Sequence, residues 1–232
     1  EIASCLVGSE MCIRDSIYAL ITIAIFGMWY YARYEGNFLP SPKKTFNLMM
    51  IVAIVILVPG TQFAANFIAN LTGYIRPDWL QQYNELFETS GITDTTFVTV
   101  LYSVILAPIC EELIFRGVTM RCARKALPFA LANLMQAALF GLFHLNWIQG
   151  IYAFALGIVL GYVCERGGSI YYSMGLHLLF NLWGTLSGFF PDPGNSVVVL
   201  VVVIVVTIVS LVAGFVLFNK GRRKLPINST GI

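Results

Sequence analysis

Apolar runs near or above the roughly 20 residues needed to cross a bilayer recur along this sequence, and they leave few folds open. The longest, residues 197–218, has no ionisable side chain on any face. Backbone inside lipid must satisfy its own hydrogen bonds, so repeated runs of this kind make the spans themselves the fold. Composition agrees: 58% of the 232 residues are hydrophobic and 11% are charged, against roughly a quarter charged in a soluble domain. The expected class is all-α, a polytopic transmembrane bundle of about seven spans, at 17–33, 46–71, 96–120, 127–145, 148–164, 169–190 and 196–219.

Charge placement predicts the orientation. Arg33, Lys43 and Lys44 follow the first span, Arg121, Arg124 and Lys125 the third, Arg166 the fifth, and Lys220, Arg222, Arg223 and Lys224 the last. The opposite connections hold Arg76 among Asp78, Glu85, Glu88, Asp94 and Asp192. By the positive-inside rule the C-terminus is cytoplasmic. Between spans two and three, residues 72–95 place Trp79, Tyr83, Leu86 and Phe87 at the spacing of an interfacial amphipathic helix.

The remaining composition mostly excludes. A net charge of +2 offers nothing for a nucleic-acid partner. Cysteines at 5, 12, 110, 122 and 164 form no C-x-x-C pair, which argues against a disulfide framework or zinc knuckle. No repeat of 20 to 50 residues stands out, and no pair of broken helices marks two halves, which disfavours a transporter. Residues 1–16 lack the pattern of a signal peptide and read as translated adapter sequence, a non-native or unstructured leader with the native start expected elsewhere. The chain then divides into that leader, N-terminal spans with the interfacial segment (17–95), a core (96–190), and a last span with a basic tail (191–232).

Against this apolar background the ionisable residues of the core stand out. Glu111, Glu112 and Arg116 lie inside the third span, where a charge costs from about 3 kcal/mol upward unless paired, wet or protonated. Glu112 and Arg116 stand four apart with the acid nearer the N-terminus, the favourable order for an ion pair on one helix face. Glu111 is rotated about 100° away, and Ile114 and Phe115 occupy its i+3 and i+4 positions. It is therefore the carboxylate left for chemistry. Pro108, one turn earlier, removes a backbone donor and frees carbonyls beside the acids. His144 ends the fourth span with Phe140 one turn before it, and His177 and Asn181 share one face of the sixth. Singly, each histidine or asparagine has a plain reading as an interhelical hydrogen-bonding group.

Together the three elements, E-E-x-x-x-R, F-x-x-x-H and H-x-x-x-N, resemble the CAAX protease and bacteriocin-processing family of membrane endopeptidases, which includes bacterial Abi and lysostaphin-resistance-like proteins. The resemblance spans roughly residues 96–190. It implies an integral, multi-pass protein of a bacterial cell membrane that hydrolyses a peptide bond in a membrane-bound or prenylated substrate, by CAAX-type processing or by peptide maturation and self-immunity. It further implies that Glu111, helped by His144, deprotonates a water, and that His177 and Asn181 donate hydrogen bonds to the oxyanion. Glu112, Arg116 and Phe140 then support. Asn181 has no basic group at neutral pH, which also favours a donor role. Glu111, His144 and His177 equally compose a catalytic zinc ligand set. Without H-E-x-x-H, and with an amide beside the histidine, the cofactor-free glutamate mechanism is preferred. Two other classes remain open, a non-catalytic scaffold or immunity factor and a proton-coupled transporter. Depth supplies a check: from the cytoplasmic ends Glu111 lies about 15 Å in, His177 about 12 Å and Asn181 about 18 Å, but His144 about 25 Å. On that estimate His144 stands too far from Glu111 to act with it.

Overall fold

The computed structural model describes residues 2–32, 47–90, 97–187 and 196–222. Its elements are helices: α1 (Ile2–Tyr30), α2 (Leu48–Ile75), α3 (Pro77–Ser90), α4 (Phe97–Ala123), α5 (Phe129–Phe143), α6 (Trp147–Gly167), α7 (Ile170–Ser187) and α8 (Val197–Arg222). Each apolar segment of the sequence forms a helix. By length and composition α2, α4, α6 and α8 suffice to cross a membrane, and α5 is apolar but shorter, at 15 residues. α1 begins at Ile2, so residues 2–16 of the stretch expected as a non-native or unstructured leader are helical. The stretch contains no proline to interrupt a helix begun upstream of the apolar run. Arg33, Lys43, Lys44, Asp94, Asp192, Arg223 and Lys224, used above for orientation, lie outside the described residues.

Two buried clusters organise the bundle. One gathers Met50, Leu57, Leu160, Tyr172, Leu176 and Phe218 from α2, α6, α7 and α8. The other joins Tyr30, Leu113, Met120, Ala132, Cys164 and Ile170 from α1, α4, α5, α6 and α7. α8 turns most of its valines outward but buries Ser210, Gly214 and Gly221 against α2. That stripe of small residues lets two backbones approach where apolar burial gives little drive between helices in lipid. Pro59 interrupts α2, and the ladder beside it is completed from outside. The Gly60 amide donates to Ser210 Oγ at 2.9 Å, and that hydroxyl donates to the Ile56 carbonyl. A side chain on Gly60 would meet Ser210 Oγ at 2.7 Å, so the bridge requires glycine.

The segment expected to form an interfacial helix is helical, as α3, at Pro77–Ser90. Trp79 stacks on Trp147 at 5.3 Å between ring centres, and Arg76, paired with Asp78 at 2.7 Å, lies 4.3 Å over the Trp79 ring. That guanidinium holds the exposed Asp78 carboxyl below its ordinary range.

Candidate active site

α4 is not a uniform helix. Residues Leu101–Leu106 and Leu113–Met120 are wound in the wider π register, flanking an α-helical turn, Ala107–Glu112, that carries both glutamates. Such insertions recur at functional sites. The first has a traceable consequence. The Ala107 amide bonds five residues back to the Tyr102 carbonyl, so the next rung would join residue 108 to Ser103, and Pro108 has no N–H to give. The Ser103 carbonyl instead accepts from Asn181 Nδ2 of α7 at 2.8 Å. The proline found in the sequence thus exposes one particular carbonyl, which docks Asn181.

Glu112 and Arg116 form the expected ion pair, Nη1 to Oε1 at 2.8 Å, with both side chains fully buried. Their surroundings go further than sequence reasoning reached. Arg116 Nη2 donates to the Gly157 carbonyl at 3.3 Å, and the guanidinium lies 4.5 Å over the Phe140 ring. Gln136 Nε2 donates to the same Gly157 carbonyl at 2.9 Å and to Asn133 Oδ1 at 2.7 Å. Gly161 makes room, since any side chain there would collide with Asn133. Asn133 and Gln136 were missed, though polar residues three apart in an apolar span carry the same signal that singled out the others.

Glu112 has a second partner. Its Oε1 stands 3.0 Å from His177 Nδ1, and His177 Nε2 stands 3.6 Å from Glu111 Oε2. One imidazole therefore bridges the two adjacent carboxylates. Because Glu112 is a carboxylate paired to Arg116, it accepts, and Nδ1 is the protonated nitrogen. Glu112 orients His177, a role its pairing with Arg116 had hidden. Glu111, for which no partner was found along its own helix, takes one from α7.

His144 caps α5 and contacts the Phe140 carbonyl through Nδ1 at 2.8 Å. A carbonyl only accepts, so Nδ1 carries the hydrogen, and in the neutral imidazole Nε2 is then the acceptor. The Phe140 ring meets Phe115, His144 and His177 edge-on at 5.2, 4.9 and 5.7 Å. These contacts remove the depth conflict. Phe140 is level with Arg116, and from that crossing His144 lies four residues along α5 while Glu111 lies five along the opposed α4, about 6 and 7 Å. Counting from helix ends had assumed that α4 and α5 begin at one depth. Among the described residues, the ion pair to Glu111 comes from His177 rather than His144.

Glu111, His144, His177 and Asn181 all line one cavity of about 750 Å³, whereas Glu112 and Arg116 lie behind its wall. Tyr83 of α3 also faces it, beside Tyr152, and burial raises the Tyr83 hydroxyl above its ordinary range. Among the described residues no group of three or more His, Cys, Asp or Glu side chains is arranged to hold a metal ion. Both Nδ1 atoms are committed, and His177 Nε2 faces a carboxylate.

Comparison with known families matches residues 93–183 to the model described as Type II CAAX prenyl endopeptidase Rce1-like. No curated protein and no solved structure matches the chain.

Proposed function

Since residues 93–183 are Rce1-like, we propose that this integral membrane protein is an intramembrane endopeptidase that uses a glutamate-activated water. The observation that carries the reading is the imidazole held between Glu111 and Glu112 on the wall of a cavity that His144 and Asn181 share. With Glu112 ionised against Arg116, one proton remains to be placed between Glu111 Oε2 and His177 Nε2. Either placement leaves the cluster neutral overall, as burial in lipid demands. On His177, the proton leaves Glu111 free as a base and makes Nε2–H a donor.

Hydrolysis then proceeds through the chain's own groups. Glu111, with His144 Nε2 as the second acceptor, takes a proton from water as its oxygen bonds to the substrate carbonyl carbon. The oxyanion is met by His177 Nε2–H and by the Asn181 N–H not engaged with Ser103. The proton held by Glu111 passes to the departing nitrogen as the C–N bond breaks, leaving a carboxylic acid and an amine. No step uses a metal. The substrate class is a membrane-bound or lipidated peptide, in CAAX-type processing or in bacterial peptide maturation and self-immunity. We further assign seven crossings in a bacterial membrane, with the C-terminus cytoplasmic.

The test is a reconstituted cleavage assay with a lipidated CAAX-type peptide. Glu111→Gln keeps the shape and removes the base, and kcat should fall by about 10³-fold or more, within the general-base range and toward its upper part because the same proton is also the one delivered to the amine. Full activity in Glu111→Gln, or loss of activity on chelation together with stoichiometric zinc, overturns the mechanism.

A further inference from the structure

The cavity extends past the residues already assigned. Along α7 its wall runs from His177 through Asn181 to Ser187, a rise of about 15 Å. The facing wall is α2, through Gln62, Ala65, Asn66 and Ala69. α2 lies outside the matched stretch 93–183, and no chemistry has been given to it so far.

Gln62 stands in mid-helix, 7% exposed. Its Nε2 donates to Asn66 Oδ1 at 3.3 Å and would lie 3.9 Å from a Cβ on Gly184. Its Oε1 is buried with no hydrogen-bond partner among the described residues. A buried amide oxygen left unpaired is costly, and packing alone does not require one. An acceptor on a cavity wall calls for an N–H. Opposite, the Asn181 and Thr185 side chains line the same space. Polar groups on both walls, spaced along about 15 Å, fit about four residues of extended peptide at roughly 3.4 Å each.

We propose that Gln62 and Asn66 of α2 form a substrate-binding subsite that holds the extended main chain of the peptide beside the cleaved bond, Gln62 Oε1 accepting a backbone N–H. An amide pair suits main chain because it reads no side chain, so this wall gives affinity without sequence preference. A prenyl group or acidic side chain gains nothing from it. The inference rests on the endopeptidase reading and names positioning contacts for it.

The probe is a fluorogenic farnesylated peptide, with four variants in which one backbone N–H beside the cleaved bond is replaced by an ester oxygen. Gln62→Leu should raise KM about tenfold with kcat within about twofold, the size of one lost neutral hydrogen bond. One ester should weaken the intact protein by the same factor and leave Gln62→Leu unaffected. Unchanged KM in Gln62→Leu overturns the subsite. So does equal sensitivity of both proteins to every ester, or a fall in kcat that tracks a lowered unfolding temperature. Binding of the uncleaved peptide to Glu111→Gln, compared with Glu111→Gln/Gln62→Leu, separates the two claims. If the intact protein cleaves nothing, a weaker Kd in the double variant still supports the subsite, and equal Kd or no binding overturns it.

Discussion

Two prolines break two helices here, and the bundle closes the breaks in different ways. Beside Pro59 the Ser210 hydroxyl bridges the disturbed ladder of α2, received from a helix whose other face is exposed valine. Beside Pro108 the stranded Ser103 carbonyl is met by Asn181, which lines the cavity. Serine has one hydrogen and spends it on the repair. Asparagine has two and spends one, so its repair leaves a spare donor on a side chain that lines the cavity. A backbone defect of one kind is a joint between helices in the first case and part of a site in the second.

The comparison is most severely tested at the buried charge behind the second repair. Arg116→Ala strands Glu112 at full burial and should destabilise by about 3–5 kcal/mol, read as a fall in thermal unfolding temperature in detergent. A fall much smaller than this would place the strength of α4 elsewhere. Next in size, Asn181→Ala should lower kcat by about 10²–10³-fold, the value of one oxyanion donor, with only a minor change in unfolding temperature. If stability and kcat fall together, the two repairs are alike and the distinction fails. Smallest is Ser210→Ala, which leaves the Gly60 amide and Ile56 carbonyl unpaired and should cost about 1–3 kcal/mol of stability. Cleavage should be unchanged to within about twofold, because Ser210 does not line the cavity.

What the amino-acid order disclosed follows from local spacing. The ion pair of Glu112 with Arg116 is a property of one helix turn, and it stands at 2.8 Å as expected. The helix α3 was equally visible in the spacing of Trp79 and Tyr83. Glu111 could be named as the unpaired acid, but its partner His177 lies 66 residues away on α7, and no helical period reports that. The two π-wound segments of α4 were also out of reach, because a π turn inserts one residue without a composition signature, and only Pro108 hinted at it. His144 was placed too deep because helix ends were taken to be coplanar; the Phe140 contact with Arg116 sets the offset instead. Ser210, in a run read as chemically idle, was passed over because a single hydroxyl among valines carries no pattern.

The aromatic stack of Trp79 on Trp147 has a mechanical sequel. Between His144 and Trp147 lie only Leu145, whose φ of 54° reverses the chain, and Asn146, whose side chain accepts from the Gln149 amide to start α6. That tight corner gives His144 almost no slack relative to Trp147, and Trp147 is stacked on Trp79 of α3. The histidine is thus tied by a short, stiff corner to α3, while Glu111 sits on α4. On the proposed function, with α3 at the headgroup level, a change in lipid thickness should alter the gap between these two groups and with it the rate.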